Sequence, residues 1–125
     1  MFNIEIQKGD EWKWKDIITI SPGQKSASLV HKTKVFDKKI EPVRKNISVS
    51  DYNDILDSLN SISIDQVFKE NAEIDGLDGW TLSCNISNGV VHKEIAIWSP
   101  EKKTSLPETT KFLEICDKIF SYTED

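Results

Sequence analysis

The chain contains 125 residues, of which 38% are hydrophobic and 30% are charged, and its net charge is −5. This length predicts a single domain over residues 1–125, and this composition excludes a disordered or fibrous protein. The acidic balance argues against non-specific binding to nucleic acid or anionic lipid, and no apolar run is long enough to span a membrane. Because no secretory signal precedes the first predicted strand, we expect a cytoplasmic protein.

The first fifty residues predict four β-strands. The first strand alternates polar residues with three apolar ones: Phe2, Ile4 and Ile6. A turn predicted at residues 8–10 leads into a second strand that continues to Ile20. Beyond a strong turn signal, two further strands are predicted over residues 26–36 and 43–49.

The second predicted strand carries two features that bear on function. Trp12 and Trp14 fall on one face of the strand and Lys13 and Lys15 on the other, so that aromatic rings and cations are separated. This separation disfavours binding of single-stranded nucleic acid, which needs both on one surface. Asp16 interrupts the apolar phase of the strand, which predicts a bulge or a partly exposed segment there.

Residues 50–62 predict an amphipathic helix. Ser50 is the predicted N-cap, and apolar residues follow it at helical spacing: Tyr52, Ile55, Leu56, Leu59 and Ile62. Asp51, Asp54 and Asp57 fall on the opposite side of the helix and are predicted to face solvent. Residues 63–79 are the least regular section, with a short helical turn predicted near residues 65–70.

A β-hairpin and a second helix complete the predicted fold. Residues 80–87 alternate with period two, Asn88-Gly89 predicts a two-residue type I′ turn, and the return strand covers residues 90–98. Residues 105–108 resemble a capping box ahead of the final amphipathic helix. The sequence therefore predicts an α+β fold, with a mostly antiparallel sheet of about six strands and two amphipathic helices packed on it.

The residue types that usually carry catalysis or bind metals are not spaced for either task. His31 and His92 lie in predicted strands without the spacing of metal ligands, and each is predicted to be a surface or edge-strand residue. Cys84 and Cys116 fall on the apolar phases of a strand and a helix. This placement favours buried free thiols, with a disulfide between them as the alternative. We therefore predict no catalytic residue, no metal, no cofactor and no enzymatic activity.

Charge is distributed unevenly along the chain. Residues 1–50 carry a net charge of +4, whereas residues 51–125 carry a net charge of −9. The segment from position 51 to position 78 contains one cation, Lys69, among its acidic residues. These acidic residues form either a solvated surface or a docking surface for a basic partner. Eight of them are candidate partner-binding residues: Asp51, Asp54, Asp57, Asp65, Glu70, Glu73, Asp75 and Asp78.

The segment 77–120 resembles a known group of proteins. It combines two tryptophan-containing motifs with a hairpin between them and an amphipathic helix after them: Leu77-Asp78-Gly79-Trp80 and Trp98-Ser99-Pro100-Glu101. In these features the chain resembles small bacterial α+β proteins that include immunity proteins of polymorphic toxin and contact-dependent inhibition systems. The resemblance implies a protein that neutralises a cognate toxin by binding it, with no catalytic residue of its own.

These observations leave hypotheses of different classes. The first is a cytosolic immunity protein whose acidic surface occludes a cognate toxin domain, expected to be a basic nuclease. The alternative is a non-enzymatic structural or adaptor module that self-associates through an edge strand or its tryptophans, or binds another protein. A third hypothesis is a small-molecule binder or enzyme with a pocket between sheet and helices. No nucleic acid or membrane partner is predicted, and the oligomeric state is left open.

Overall fold

The computed structural model describes residues 2–10, 13–36, 38–72, 80–98 and 106–124. Within these ranges the chain forms seven strands and three helices: β1 (Asn3–Asp10), β2 (Trp14–Ser21), β3 (Ser26–Val35), β4 (Lys38–Lys39), β5 (Val43–Ser48), α1 (Val49–Asn60), α2 (Ile64–Asn71), β6 (Thr81–Ser87), β7 (His92–Trp98) and α3 (Pro107–Ser121). The strands join in one sheet, which confirms the predicted α+β class. The structure adds one short strand, β4, and the helical turn predicted near residues 65–70 is confirmed as a helix of two turns, α2.

The sheet is antiparallel at every described pairing. Its strand order is β4-β3-β2-β1-β6-β7, and β5 also pairs with β3. The long strand β3 makes this possible, because β5 pairs with its first six residues and β4 with its last two. Four of the six consecutive pairs of described strands are neighbours in the sheet, as short antiparallel connections favour.

All three helices pack on one side of the sheet, which we call the covered face. The side chains of this face alternate along each strand and join those of the helices in one hydrophobic core. Its sheet residues are mostly isoleucines and leucines at full burial: Ile4, Ile6, Ile18, Ile20 and Leu29. Each such side chain contributes about 1.5–3 kcal/mol through removal from water. The opposite side, the open face, carries the alternate residues, most of which are polar.

The turn predicted at residues 8–10 does not form, because β1 continues through these residues to Asp10. Gly9 is required there for a different reason. Its φ is +151°, and a Cβ atom at this position would lie 2.3 Å from the carbonyl oxygen of Trp14 on the neighbouring strand. Of the two alternatives predicted at Asp16, the bulge is absent, since β1 and β2 pair in unbroken register with Asp16 opposite Lys8. The other alternative is confirmed, since Asp16 is partly exposed.

Helix α1 begins two residues earlier than predicted. Its N-cap is Ser48, not Ser50, and the Ser48 hydroxyl oxygen accepts a hydrogen bond of 2.9 Å from the Asp51 amide. At the other end of the helix, the Lys93 ammonium donates to the carbonyl oxygens of Leu59 and Ile62, at 3.2 and 3.1 Å. A cation at this end satisfies free carbonyl groups and suits the helix dipole.

Two predicted boundaries near the C-terminal half are also wrong. The hairpin between β6 and β7 has a four-residue loop instead of a two-residue turn, and the Asn88 side chain accepts from the amides of Val90 and Val91. The N-cap of α3 is Leu106, without a side-chain bond, so the predicted capping box is not the start of this helix. The predicted proline in the first turn of α3 is confirmed, since Pro107 occupies it.

Candidate functional site

The most exposed part of the predicted acidic surface lies on α1. Tyr52, Ile55 and Leu59 of this helix are buried in the core. Asp54 and Asp57 are exposed on the other side, and Asp51 is half-buried at its edge. We call these three aspartates the acidic face. Residues three apart lie on neighbouring positions of a helix surface. The predicted exposure to solvent is confirmed for Asp54 and Asp57 and only in part for Asp51.

No lysine, arginine or histidine in the described parts of the chain lies within 4.0 Å of a carboxylate of the acidic face. Its negative potential nevertheless reaches a neighbouring side chain at the end of α3. Partial burial, and then the charges of Asp51 and Asp54, raise the pKa of the Tyr122 phenol. Asp54 also lines a small cleft between α1 and α3 together with Lys118, without an ion pair between them.

Helix position separates Asp54 and Asp57 from two of the other candidate partner-binding residues, Asp51 and Asp65. Asp51 lies in the first turn of α1 and Asp65 in the first turn of α2, where a negative charge stabilises the helix through its dipole. Asp54 and Asp57 lie beyond the first turn. Their carboxylates have no such helix-stabilising position, and these two residues are therefore the centre of the candidate site.

Glu70 has an intramolecular role that sequence patterns did not show. Its carboxylate accepts from the amides of Glu108 and Thr109, at 3.1 and 2.8 Å, and from the Thr109 hydroxyl at 2.8 Å. It thus caps the N-terminus of α3 in place of the missing N-cap side chain. Burial raises the pKa of Glu70, but these hydrogen bonds, with one from Gln66, outweigh it and lower the pKa overall.

The contact between α2 and α3 is reciprocal. While Glu70 of α2 accepts from the first turn of α3, Glu108 of α3 accepts at 3.2 Å from the amide of Ser63, the N-cap residue of α2. Each helix start is therefore held by a carboxylate of the other helix.

Three further predicted partner-binding residues, Glu73, Asp75 and Asp78, lie outside the described residues.

A polar cluster on the covered face joins three distant parts of the chain. The Asp16 carboxylate accepts from His31 Nε2 at 2.9 Å and from the Thr33 hydroxyl at 2.8 Å, and His31 Nδ1 lies 2.6 Å from the Thr123 hydroxyl. Because a carboxylate only accepts, Nε2 carries a proton. The Thr123 hydroxyl also donates to the Phe120 carbonyl oxygen, at 3.2 Å. The cluster attaches the segment after α3 to β2 and β3.

His31 is therefore not the isolated surface or edge-strand residue that the sequence predicted. The sequence contained one signal of this contact, because Asp16 and His31 both occupy apolar phases of adjacent predicted strands.

The C-terminal end of α3 is also held by two lysines from strands of the sheet. Lys45 donates to the Tyr122 carbonyl at 2.6 Å, and Lys8 lies 4.2 Å from the centre of the Phe120 ring.

Cys84 and Cys116 are buried free thiols, as predicted. Burial raises the pKa of Cys84 to about 12, although the charge of Lys93 opposes the rise. Burial, followed by the charges of Cys84 and Asp117, raises the pKa of Cys116 well above its usual value. Since the thiolate is the nucleophile and the metal ligand, both side chains act as core residues at neutral pH.

An apolar groove runs between α2 and the edge strand β7. It has a volume of about 380 Å³ and is lined by residues of both elements, including Ile64, Phe68 and Ala96. Phe68 is 74% exposed although it is a large aromatic residue. In the described sheet, β7 pairs with β6 alone, so that one row of its backbone groups points away from the sheet.

Over its described residues, the structure contains no group of three or more His, Cys, Asp or Glu side chains placed to hold a metal ion. None of the described helices combines the length and the apolar character needed to cross a membrane. A comparison of the sequence with protein-family models and with curated proteins gave no match.

Proposed function

We propose that this chain is a cytoplasmic immunity protein that binds a basic toxin domain through the acidic face of α1 and neutralises it by occlusion. The observation that carries the proposal is the exposure of Asp54 and Asp57, which have no cationic partner among the described side chains. Unpaired charges on a well-supported surface raise the rate at which an oppositely charged partner associates.

The support beneath α1 suits such a docking surface. Its inner side is anchored in the core by Tyr52, Ile55 and Leu59, and both ends of the helix are capped, by Ser48 and by Lys93. A helix held in this way loses little conformational entropy when it binds, which favours affinity. A nuclease is the expected target class, because a site that neutralises phosphates is itself basic.

Co-expression tests the biological role. The C-terminal domain of the protein encoded immediately upstream would be produced in a bacterial host with and without this chain, and growth and co-purification would be scored together. We expect growth arrest by the upstream domain alone, and both rescue and a stable complex when this chain is present. The proposal would be contradicted if the upstream domain arrested growth and this chain neither restored growth nor formed a complex with that domain.

Association kinetics test the surface. In the double variant Asp54→Lys/Asp57→Lys, we expect the association rate with the toxin domain to fall at least about tenfold and to lose most of its salt dependence. The matched control is Glu41→Lys/Glu94→Lys, which makes the same change in net charge at two exposed residues away from α1. Equal losses in both variants would show a general charge effect and remove α1 as the docking surface.

A second candidate function is an adaptor that self-associates through β7. The apolar groove beside this edge strand favours it, since an added strand would cover Ile64 and Phe68 while pairing with free backbone groups. Sedimentation over a range of concentrations tests this function. A dimer that is lost in a Phe68→Ser variant would favour the adaptor, whereas a monomer at all concentrations would exclude self-association.

A further inference from the structure

The open face of the sheet carries a row of three lysines directly opposite one another. In the pairing register, Lys15 of β2 lies opposite Lys34 of β3, and Lys34 lies opposite Lys39 of β4. Opposite residues of antiparallel strands point to the same side and have Cβ atoms about 4.5–5.5 Å apart. We call these three residues the lysine row.

The lysine row is unfavourable for the folded chain by itself. Like charges directly opposite each other destabilise a sheet. No Asp or Glu carboxylate lies within 4.0 Å of these three ammonium groups in the described part of the chain. Lys32, two residues before Lys34 on the same strand, and Arg44 of β5 add two more cations to the same face, likewise without a described acidic partner.

Exposed apolar side chains lie next to these cations. Phe36 follows β3 in the same alternation as Lys32 and Lys34 and is 82% exposed. Ile40 directly follows Lys39 of β4 and is 44% exposed. Large apolar residues surrounded by charged ones are typical of the anchor positions of protein–protein interfaces. The patch therefore combines a charge row with apolar anchors at one edge of the sheet.

We propose that this patch binds an acidic segment of a protein partner that also carries apolar side chains. Glutamates or aspartates of such a segment would relieve the repulsion within the lysine row, and its apolar residues would cover Phe36 and Ile40. The partner is a polypeptide and not a nucleic acid, because the net charge of −5 opposes the approach of a polyanion.

This surface is distinct from the acidic face of α1. The helices pack on the covered face, whereas the lysine row stands on the open face, so that the two charged surfaces point away from each other. The chain could therefore hold a basic partner on one side and an acidic partner on the other. The proposal stands without the immunity function, since it uses different residues and a partner of opposite charge.

Fluorescence anisotropy with three labelled probes tests the proposal. The probes are a peptide in which glutamate alternates with leucine and serine, the same peptide with glutamine for glutamate, and an oligothymidine of equal charge. We expect the acidic peptide to bind most tightly and to weaken as salt is raised. An acidic peptide that does not bind at low salt, or that binds less tightly than the oligothymidine, would overturn the proposal.

Charge-reversal variants locate the binding. We expect Lys15→Glu/Lys34→Glu/Lys39→Glu to reduce affinity for the acidic peptide at least about tenfold. The control, with the same change in net charge at exposed lysines elsewhere, is Lys25→Glu/Lys69→Glu/Lys118→Glu, and it should bind within about twofold of the unmodified chain after correction for net charge. Equal losses in both triple variants would refute the assignment.

Two additional variants keep the outcome decisive. Lys15→Gln/Lys34→Gln/Lys39→Gln removes the charges without adding new ones and should also lose binding, with circular dichroism to confirm that it is folded. Asp54→Lys/Asp57→Lys should keep its affinity for the acidic peptide, because the acidic face is not part of this surface. Retained binding in the glutamine variant would overturn the role of the lysine row.

Discussion

The covered face and the open face of the same sheet differ in whether their charged side chains have partners. On the covered face, Asp16 and His31 interrupt an apolar surface, and each is hydrogen-bonded to a partner from another element. On the open face, Lys15 and Lys34 stand opposite each other without a described acidic partner. Burial makes an unpaired polar group costly, whereas solvent screens exposed charges and lets a repulsive arrangement persist. Substitutions of polar groups on the covered face should therefore change stability, whereas charged groups on the open face can bind a partner.

Substitution of neighbouring isoleucines gives the largest expected contrast between the two faces. Ile18 is fully buried on the covered face, and Ile17, the preceding residue, is half-buried on the open face. We expect Ile18→Ala to lower the free energy of unfolding by about 2–5 kcal/mol, through lost burial and the cavity left behind. Ile17→Ala should cost about 1 kcal/mol or less, because its site can collapse or fill with water. Urea denaturation measures both, and equal losses would contradict the assignment of the faces.

The pH dependence of stability sharpens the role of the paired carboxylate Glu70. Hydrogen bonds hold the pKa of Glu70 in the folded chain below its usual value of 4.5. Its contribution to stability is therefore fully present above pH 4.5 and is lost as pH falls through the folded pKa. We expect Glu70→Gln to cost about 1 kcal/mol near pH 7, as for loss of a helix cap. The difference from the unmodified chain should shrink in acid. Thermal denaturation between pH 7 and pH 3 measures this effect.

The control for Glu70 is Glu114→Gln, which removes an exposed carboxylate of α3 that makes no ion pair with a described side chain. Its stability should follow that of the unmodified chain at every pH. If Glu70→Gln behaved like Glu114→Gln, the capping of α3 by Glu70 would not contribute to stability.

Relief of repulsion in the lysine row gives the smallest expected effect, and its sign is opposite to the others. Lys34→Glu converts two like-charge pairs, with Lys15 and Lys39, into two opposite-charge pairs. We expect a gain of about 0.5–1 kcal/mol, or a rise in Tm of about 2–5 °C, which should shrink at high salt. Lys32→Glu is the control, because its cross-strand neighbour is Ile17. A gain of the same size in the control would show that the register does not matter.

Apolar periodicity was enough to predict most of the core and the fold class. The helix residues Tyr52, Ile55 and Leu59 are buried as expected, and so are the alternating residues of β6. The errors concern features that depend on contacts between distant segments. Gly9 resembles a turn residue in the sequence, but its structural reason is the approach of Trp14 from the next strand.

The candidate sites show the same limit. Helical spacing was sufficient to place Asp54 and Asp57 on an exposed surface, because that placement is local. The role of Glu70 depends on where α3 begins relative to α2, and the lysine row depends on how β2, β3 and β4 are aligned. Neither relation leaves a periodic signal within one segment, so that single-sequence patterns could not reveal them.

The attachment of α3 at both ends has a consequence for the order of events during synthesis. Its start is held by Glu70 and its end by His31, which contacts Thr123 across a sequence separation of 92 residues. The part of the core that α3 completes therefore stays accessible to water, and to chaperones, until residues 107–124 have left the ribosome. Completion of the core thus depends on a segment that emerges after all seven described strands. Slow release of that segment would expose the nascent sheet to aggregation.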